Sequence, residues 1–302
     1  MQRPPYLKQG DKIAIVSPSG AVDPTYIDGA VKMLTSWQLK PVISPFARES
    51  FGRFAGTDEQ RLLDLQQALD DPSIRAVLCS RGGYGLMRIV DKINFDAFVR
   101  HPKWLIGFSD ITILHAAAIH KGIQSIHAVM AKGMTESDPE ADPVAILRKV
   151  LFGKEPDPYI LSPNALNRFG ESSGTLVGGN LSVLYGLRGT GFDIQPNGKI
   201  LFIEDISEKP YHVDRMMQNF KLGGILSEIS GLLVGRFTDM DEDASFGKTL
   251  EEIIRSAVEE YDYPVAFNFP VGHVDYNLPV IHGAKVKMTV LEAGGKIDLL
   301  YI

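Results

Sequence analysis

Cysteine is almost missing from this chain. Cys79 is the only one in 302 residues, which excludes an intramolecular disulfide and any zinc site built from several thiolates. Tryptophan is scarce as well, with Trp37 and Trp104 alone. Basic charge is not in excess: 31 Lys and Arg stand against 37 Asp and Glu, a net charge of −6, without a long basic run. A phosphate backbone is therefore a poor partner, and no nucleic-acid binding is expected. No stretch approaches the ~20 apolar residues of a membrane span, so no membrane partner is expected either. The apolar run Ile13–Val16 is far shorter than a signal-peptide core of about 7–15 residues, and the expected location is cytoplasmic. Phosphate-loop signatures are lacking: Gly82-Gly83-Tyr84-Gly85 does not fit G-x-G-x-x-G, and no G-x-x-x-x-G-K-[ST] occurs. There is no internal repeat and no low-complexity tract.

What remains is an ordinary globular composition, 44% hydrophobic and 23% charged, in a chain long enough for two domains or one large α/β unit. The first part alternates strand and helix signals. "KIAIVSPSG" is a short β-branched run ending in a turn, and "VDPTYIDGAVKMLTSW" follows with Asp23 as N-cap and Pro24 at the first helical position. Ile27, Ala30, Val31 and Leu34 share one helix face. In "TDEQRLLDLQQALDD", Thr57 and Gln60 make a capping box, and Leu62, Leu65 and Leu69 repeat on one face. "IRAVLCSRGGYG" and "KWLIGFSDITILHAAAIHKG" add two strands, a glycine-rich loop and a helix. This order predicts a parallel sheet with helices on both faces, in which ligands collect beyond the carboxyl ends of the strands.

Residues 1–135 are read as this α/β domain. Residues 136–173, rich in proline, acid, serine and glycine, are read as a linker that contains one short helix, "VAILRKVLFG". Residues 174–302 are read as a mixed, strand-rich second domain. Its strand segments are "GTLVGGNLSVLYGLRGT", "KILFIEDIS", "GLLVGRF", "VAFNFPVGH", "AKVKMTVLEAG" and "KIDLLYI", and its helices lie in "VDRMMQNFKLGGILSE" and "TLEEIIRSAVEEYD".

Two of the strand ends carry candidate chemistry. Gly107-Phe108-Ser109-Asp110-Ile111 has the form of a nucleophile elbow, a serine on a tight strand-to-helix turn whose following N–H can receive an oxyanion. The competing reading makes Ser109 a plain helix cap. The double glycine of "SRGGYG" lets backbone approach a ligand, and Gly83 is a natural second oxyanion donor. A serine nucleophile needs a base, and the base a carboxylate to orient it. Of the seven histidines, His115 and His120 fall on the helix after Ser109, where packing or surface roles are expected. His273, in the loop "FPVGHVDYNLPV", has the placement of a site residue, with His282 as its rival. Glu204, Asp205 and Glu208 are the candidate carboxylates. Cys79, without a cationic neighbour before Arg81, reads as a core thiol.

Taken together and in order, "CSRGGYG", "GFSDIT", "GGNLSVLYGL", "LFIEDISEKPYHVDRM" and "GHVDYNLPV" resemble the LD-carboxypeptidase family of serine peptidases, the muramoyltetrapeptide carboxypeptidases, along nearly the whole chain. The resemblance implies an N-terminal parallel-sheet domain like that of class I glutamine amidotransferases and a smaller strand-rich C-terminal domain. It implies a triad of Ser109 as nucleophile, His273 as general base and Glu204 as orienting carboxylate, with the Gly83 and Asp110 amides as oxyanion hole. Arg81 and Tyr84 are candidates for binding a substrate carboxylate. It further implies a murein peptide as partner, a homodimer, and no metal or organic cofactor. The implied reaction releases terminal D-alanine from cytoplasmic murein tetrapeptides. The alternative is a peptidase of the microcin C immunity type, which cleaves aminoacyl-nucleotide amides and would need an aromatic platform for adenine. The chain departs from many relatives in having "LPVIHGAKV", with His282, after the histidine loop.

Overall fold

The computed structural model describes residues 1–154, 157–241 and 243–300. The chain divides into two compact units, one made of Met1–Pro156 with Asp275–Ile281, the other of Asp157–Val274 with His282–Ile302. The segment read as a linker is thus shared out between the two units.

In the first unit the strands are β1 (Lys12–Val16), β2 (Lys40–Ile43), β3 (Ile74–Cys79), β4 (Trp104–Gly107) and β5 (Ser125–His127). The helices are α1 (Pro24–Ser36), α2 (Asp58–Asp70), α3 (Asp96–Arg100), α4 (Thr112–His120), α5 (Ala131–Glu136) and α6 (Asp142–Leu151). The sheet runs β5-β4-β3-β1-β2, every neighbouring pair parallel. A returning stretch of chain, Val280–His282, lines the β5 edge. Because the strands are parallel, every β-to-α loop leaves from the same end. Leu78 pairs with Ile106, so the loops after β3 and β4 emerge side by side.

The helix starts follow the sequence chemistry. Asp23 accepts from the Thr25 N–H at the head of α1, and Thr57 and Gln60 close a reciprocal capping box on α2. The inner face of α2 departs from the leucine reading: Leu65, Ala68 and Leu69 are buried, but Arg61 and Asp64 are buried with them and Leu62 is only half-buried. The N-terminal turns of this helix face polar loops rather than the apolar core.

The second unit holds β6 (Tyr159–Leu161), β7 (Gly170–Asn180), β8 (Lys199–Ile206), β9 (Gly231–Thr238), β10 (Val265–Ala266), β12 (Lys285–Leu291) and β13 (Gly294–Leu299), β11 being the stretch Val280–His282 at the edge of the first sheet. Its sheet is mixed: β10-β9-β8-β7 are parallel, and β7-β12-β13-β6 continue it antiparallel. Helices α7 (Leu181–Gly186), α8 (Pro210–Leu222), α9 (Ile225–Glu228) and α10 (Leu250–Ala257) complete it. Phe202, Phe220, Phe267 and Phe269 are among its largest fully buried side chains. The architecture is therefore a two-domain α/β fold with a parallel sheet. No described helix is long and apolar enough to cross a membrane.

The capping box makes a first test. Thr57→Ala removes the acceptor for the Gln60 N–H and is expected to lower stability by about 1 kcal/mol in urea unfolding followed by circular dichroism. An unchanged midpoint would show that the α2 start is held by its tertiary contacts alone.

Candidate active site

Ser109 does not cap a helix. It opens a single 3-10 turn, Ser109–Ile111, that leads into α4, and neither that turn nor α4 has a side-chain cap. Its backbone sits at φ 64, a left-handed conformation that costs a non-glycine residue of order 1–3 kcal/mol and that marks a sharp elbow at the end of β4. The choice left open by the sequence between cap and elbow is decided for the elbow.

Packing holds that conformation. A Cβ on Gly82 would lie 2.7 Å from Ser109 Cβ, 3.0 Å from its Oγ and 3.2 Å from the Asp110 amide nitrogen, so only glycine lets the β3 loop reach the elbow. Gly82 thus belongs to the site although the sequence reading singled out Gly83, which follows it at φ 98. Asp110 is 3% exposed, and its carboxylate accepts from the Leu86 N–H at 3.0 Å. Burial raises the Asp110 pKa, a rise opposed by the Ser19 hydroxyl, the Leu86 and Gly85 amides and the charge of Arg61. From behind, buried His115 donates from Nε2 to the Gly107 carbonyl at 2.8 Å, while Ser125 Oγ lies 2.8 Å from its Nδ1. Its pKa is pushed down to about 4 by burial, so it is a neutral brace. Cys79 is fully buried, and burial pushes its thiol up, away from the thiolate a nucleophile needs.

The other two expected loop residues flank the glycines. Arg81 is exposed, with its guanidinium donating to the Ala21 carbonyl. Tyr84 is 44% exposed, its ring 6.0 Å from that of Phe54 and 5.8 Å from the Arg53 guanidinium carbon.

In the second unit Glu204 and His273 meet. Glu204 is fully buried near the end of β8, at a register shift between Ile203 and Asp205; such bulges re-aim side chains. His273 lies in the loop beyond β10. That loop continues along β9 through Phe269 N–H to the Val234 carbonyl and Arg236 N–H to the Val271 carbonyl, both 2.9 Å. The strand read from "VAFNFPVGH" is therefore only Val265–Ala266; Asn268 at φ 61 breaks it. His273 Nδ1 donates to Glu204 Oε2 at 2.8 Å. A carboxylate only accepts, so Nδ1 carries the hydrogen and Nε2 is the basic atom of the neutral ring. The other carboxylate oxygen, Oε1, is buried without a hydrogen-bond partner among the described residues. A Cβ on Gly272 would stand 3.2 Å from Glu204 Oε2 and 2.9 Å from the Arg236 carbonyl, so this glycine, missed in the sequence, permits the pair. On His273, burial disfavours the charged ring, but the Glu204 hydrogen bond and charge, with Asp205 and Asp239 behind, outweigh it and raise the pKa above 6.5.

The rival residues are engaged elsewhere. Asp205 points to the opposite face of β8 and accepts from Asn180 Nδ2 and the Ser182 N–H, each at 2.8 Å, at the head of α7; burial raises its pKa to about 6. Glu208 pairs with His212 Nδ1 at 3.0 Å. His282 is buried with its ring 5.1 Å from that of Phe202. Among the described residues no group of three or more His, Cys, Asp or Glu side chains is arranged to hold a metal ion.

Residues 13–128 match the model of the LD-carboxypeptidase N-terminal domain, and residues 173–288 that of the LD-carboxypeptidase C-terminal domain. The chain belongs to the LD-carboxypeptidase family. It is therefore an enzyme, a serine-type carboxypeptidase. It is similar to the probable murein peptide carboxypeptidase of Bacillus subtilis (strain 168), with 35% identity over 98% of this chain and 94% of that protein. The crystal structure of muramoyltetrapeptide carboxypeptidase from Oxalobacter formigenes superposes with a TM-score of 0.87 at 26% identity, covering 95% of this chain and 98% of that one. The microcin C7 self-immunity protein MccF of Escherichia coli is more distant, 24% identical over 77% of this chain and 76% of its own length.

The electrostatics of the pair can be read by titration. The His273 ring is expected to titrate above 6.5 by NMR. Glu204→Gln removes the hydrogen-bonded charge and leaves burial, so the ring should then titrate below that value. The raised pKa also means that the imidazolium stabilises this unit below pH 6.5, a contribution lost as pH rises through the folded value. Equal titration in the two proteins would contradict the assignment.

Proposed function

We propose that this enzyme is a murein tetrapeptide carboxypeptidase that hydrolyses the amide between the L-centre of meso-diaminopimelate and the terminal D-alanine. Ser109 is the nucleophile, His273 the general base and Glu204 the orienting carboxylate. The observation that carries the reading is the Glu204–His273 pair, a buried carboxylate 2.8 Å from an imidazole, in a chain that also holds a serine on a strained elbow. Similarity to relatives named for murein peptides supports the substrate class.

In the first step Ser109 Oγ bonds to the scissile carbonyl carbon while its proton passes to His273 Nε2. The carbonyl oxygen becomes an oxyanion, received by the Gly83 and Asp110 N–H groups; in other hydrolases, loss of one such donor raises the barrier by about 3–4 kcal/mol. The imidazolium, stabilised by Glu204, gives the proton to the amine nitrogen as the C–N bond breaks, and D-alanine leaves. Water, deprotonated by the same imidazole, then opens the acyl ester and restores Ser109. Arg81 and Tyr84 border the Gly82–Gly83 turn and are assigned to the free carboxylate of the leaving residue. The reading places the enzyme in the cytoplasm, as a homodimer, in recycling of murein peptides. An adenylate-type substrate is disfavoured because Trp37 and Trp104 are 2% and 0% exposed, so neither offers a face to a purine.

Ser109→Ala is expected to cut D-alanine release from disaccharide tetrapeptide by at least about 10⁴-fold with the fold retained. His273→Ala should do likewise, whereas His282→Ala should keep turnover; the reverse order would move the base. An aminoacyl sulfamoyl-adenosine assayed in parallel should remain intact, and its preferential cleavage would overturn the substrate assignment.

A further inference from the structure

A guanidinium group is costly to bury, since the water it loses must be replaced by acceptors. Arg61, on the inner face of α2, is 1% exposed. Its Nη1 donates to two carbonyls, that of Pro18 at 2.7 Å and that of Gly85 at 2.9 Å. Its Nη2 pairs with Asp58, one turn earlier, and Asp58 is held in turn by Arg88 at 2.8 Å. The Phe54 ring lies beneath, 5.0 Å from the guanidinium carbon. Pro18 belongs to the turn after β1 and Gly85 to the loop after β3, so one head group spans two loops at the carboxyl end of the sheet.

Both loops lead to Ser109. From the first, the Gly20 N–H donates to the Gly82 carbonyl at 3.0 Å, and Gly82 packs on the elbow. In the second, the Asp110 carboxylate holds the Leu86 N–H at 3.0 Å. The Gly85–Leu86 peptide link is thus gripped from two sides, its carbonyl by Arg61 and its amide by the residue that follows Ser109. Filling space does not require a charge here. A methionine would occupy similar volume without the desolvation cost, but would leave the Pro18 and Gly85 carbonyls without this donor.

We propose that Arg61 is a positioning residue, whose guanidinium fixes the Gly82–Gly83 backbone against Ser109 and so sets where the oxyanion is received. The proposal rests on the reading of Ser109 as nucleophile and of the Gly83 and Asp110 amides as oxyanion donors. Arg61 touches no reacting atom in this scheme. Its loss should therefore weaken transition-state stabilisation and leave substrate affinity alone.

The test compares Arg61→Lys, which keeps the charge but not the planar fork, with Arg61→Met, which keeps an unbranched apolar stem but no donor. Steady-state kinetics on disaccharide tetrapeptide are measured beside thermal unfolding by circular dichroism, with Ser109→Ala in parallel. The expected result is kcat down by about 10- to 100-fold with KM nearly unchanged, more severely for methionine than for lysine. A folded Arg61→Met with wild-type kcat, while Ser109→Ala is inactive, would overturn the positioning role and leave the nucleophile in place. A raised KM at constant kcat would overturn it as well, making Arg61 a substrate ligand. Turnover by Ser109→Ala would instead remove the reading on which the proposal stands. If neither Arg61 variant folds, Asp58→Asn, which weakens the guanidinium's anchor from a partly exposed position, carries the same kinetic split, and an unchanged kcat there would overturn the proposal.

Discussion

The first unit is organised around one unfavourable backbone conformation. Ser109 at φ 64 is held in a region that L-residues avoid, and much of its surroundings is arranged to keep it there. His115 fixes the carbonyl two residues before it. Asp110, immediately after it, is bonded to the amide of Leu86. The glycine loop closes over it at a distance no side chain would allow. These contacts come from β3, β4, β5 and α4, which converge because the strands are parallel and discharge their loops at one end. The strain is the means by which a hydroxyl is lifted off the end of a strand.

The second unit solves a different problem, that of keeping an imidazole oriented. The Glu204 carboxylate is fully buried, and its Oε2 accepts from His273 Nδ1, which holds the ring in one orientation. The opposing influences on His273, burial against the neighbouring negative charge, end in favour of the cation. That balance suits a base which must take a proton in one step and return it in the next. Parallel strands again supply the platform, and a register shift in β8 turns Glu204 toward the loop.

Much of this was legible in the chain. β-branched runs marked the strands, capping residues marked α1 and α2, and a serine and a double glycine at successive strand ends pointed to one edge of the sheet. The family resemblance selected Glu204 among three nearby acids. Strand alternation puts Glu204 and Asp205 on opposite faces, but only coordinates show that the imidazole lies on the first and the head of α7 on the second. Arg61 and Asp64 were invisible because a helix face is read from its apolar residues, and a buried charge interrupts that pattern only where loops supply acceptors. The importance of Gly82 and Gly272 follows from close approach in space, which spacing along the chain does not encode. The "VAFNFPVGH" segment misled for a local reason: Asn268 takes a left-handed conformation, so an apolar run becomes a loop that follows a strand without being one.

The central claim is that the Ser109 hydroxyl forms a covalent bond to the acyl half of the substrate. The most direct measurement is rapid acid quench during turnover of murein tetrapeptide, followed by mass-spectrometric mapping of the digested protein. The account predicts a transient adduct, equal in mass to the acylating tripeptide moiety, on the peptide that contains Ser109. An adduct on another side chain, or turnover with none at any quench time, would contradict it.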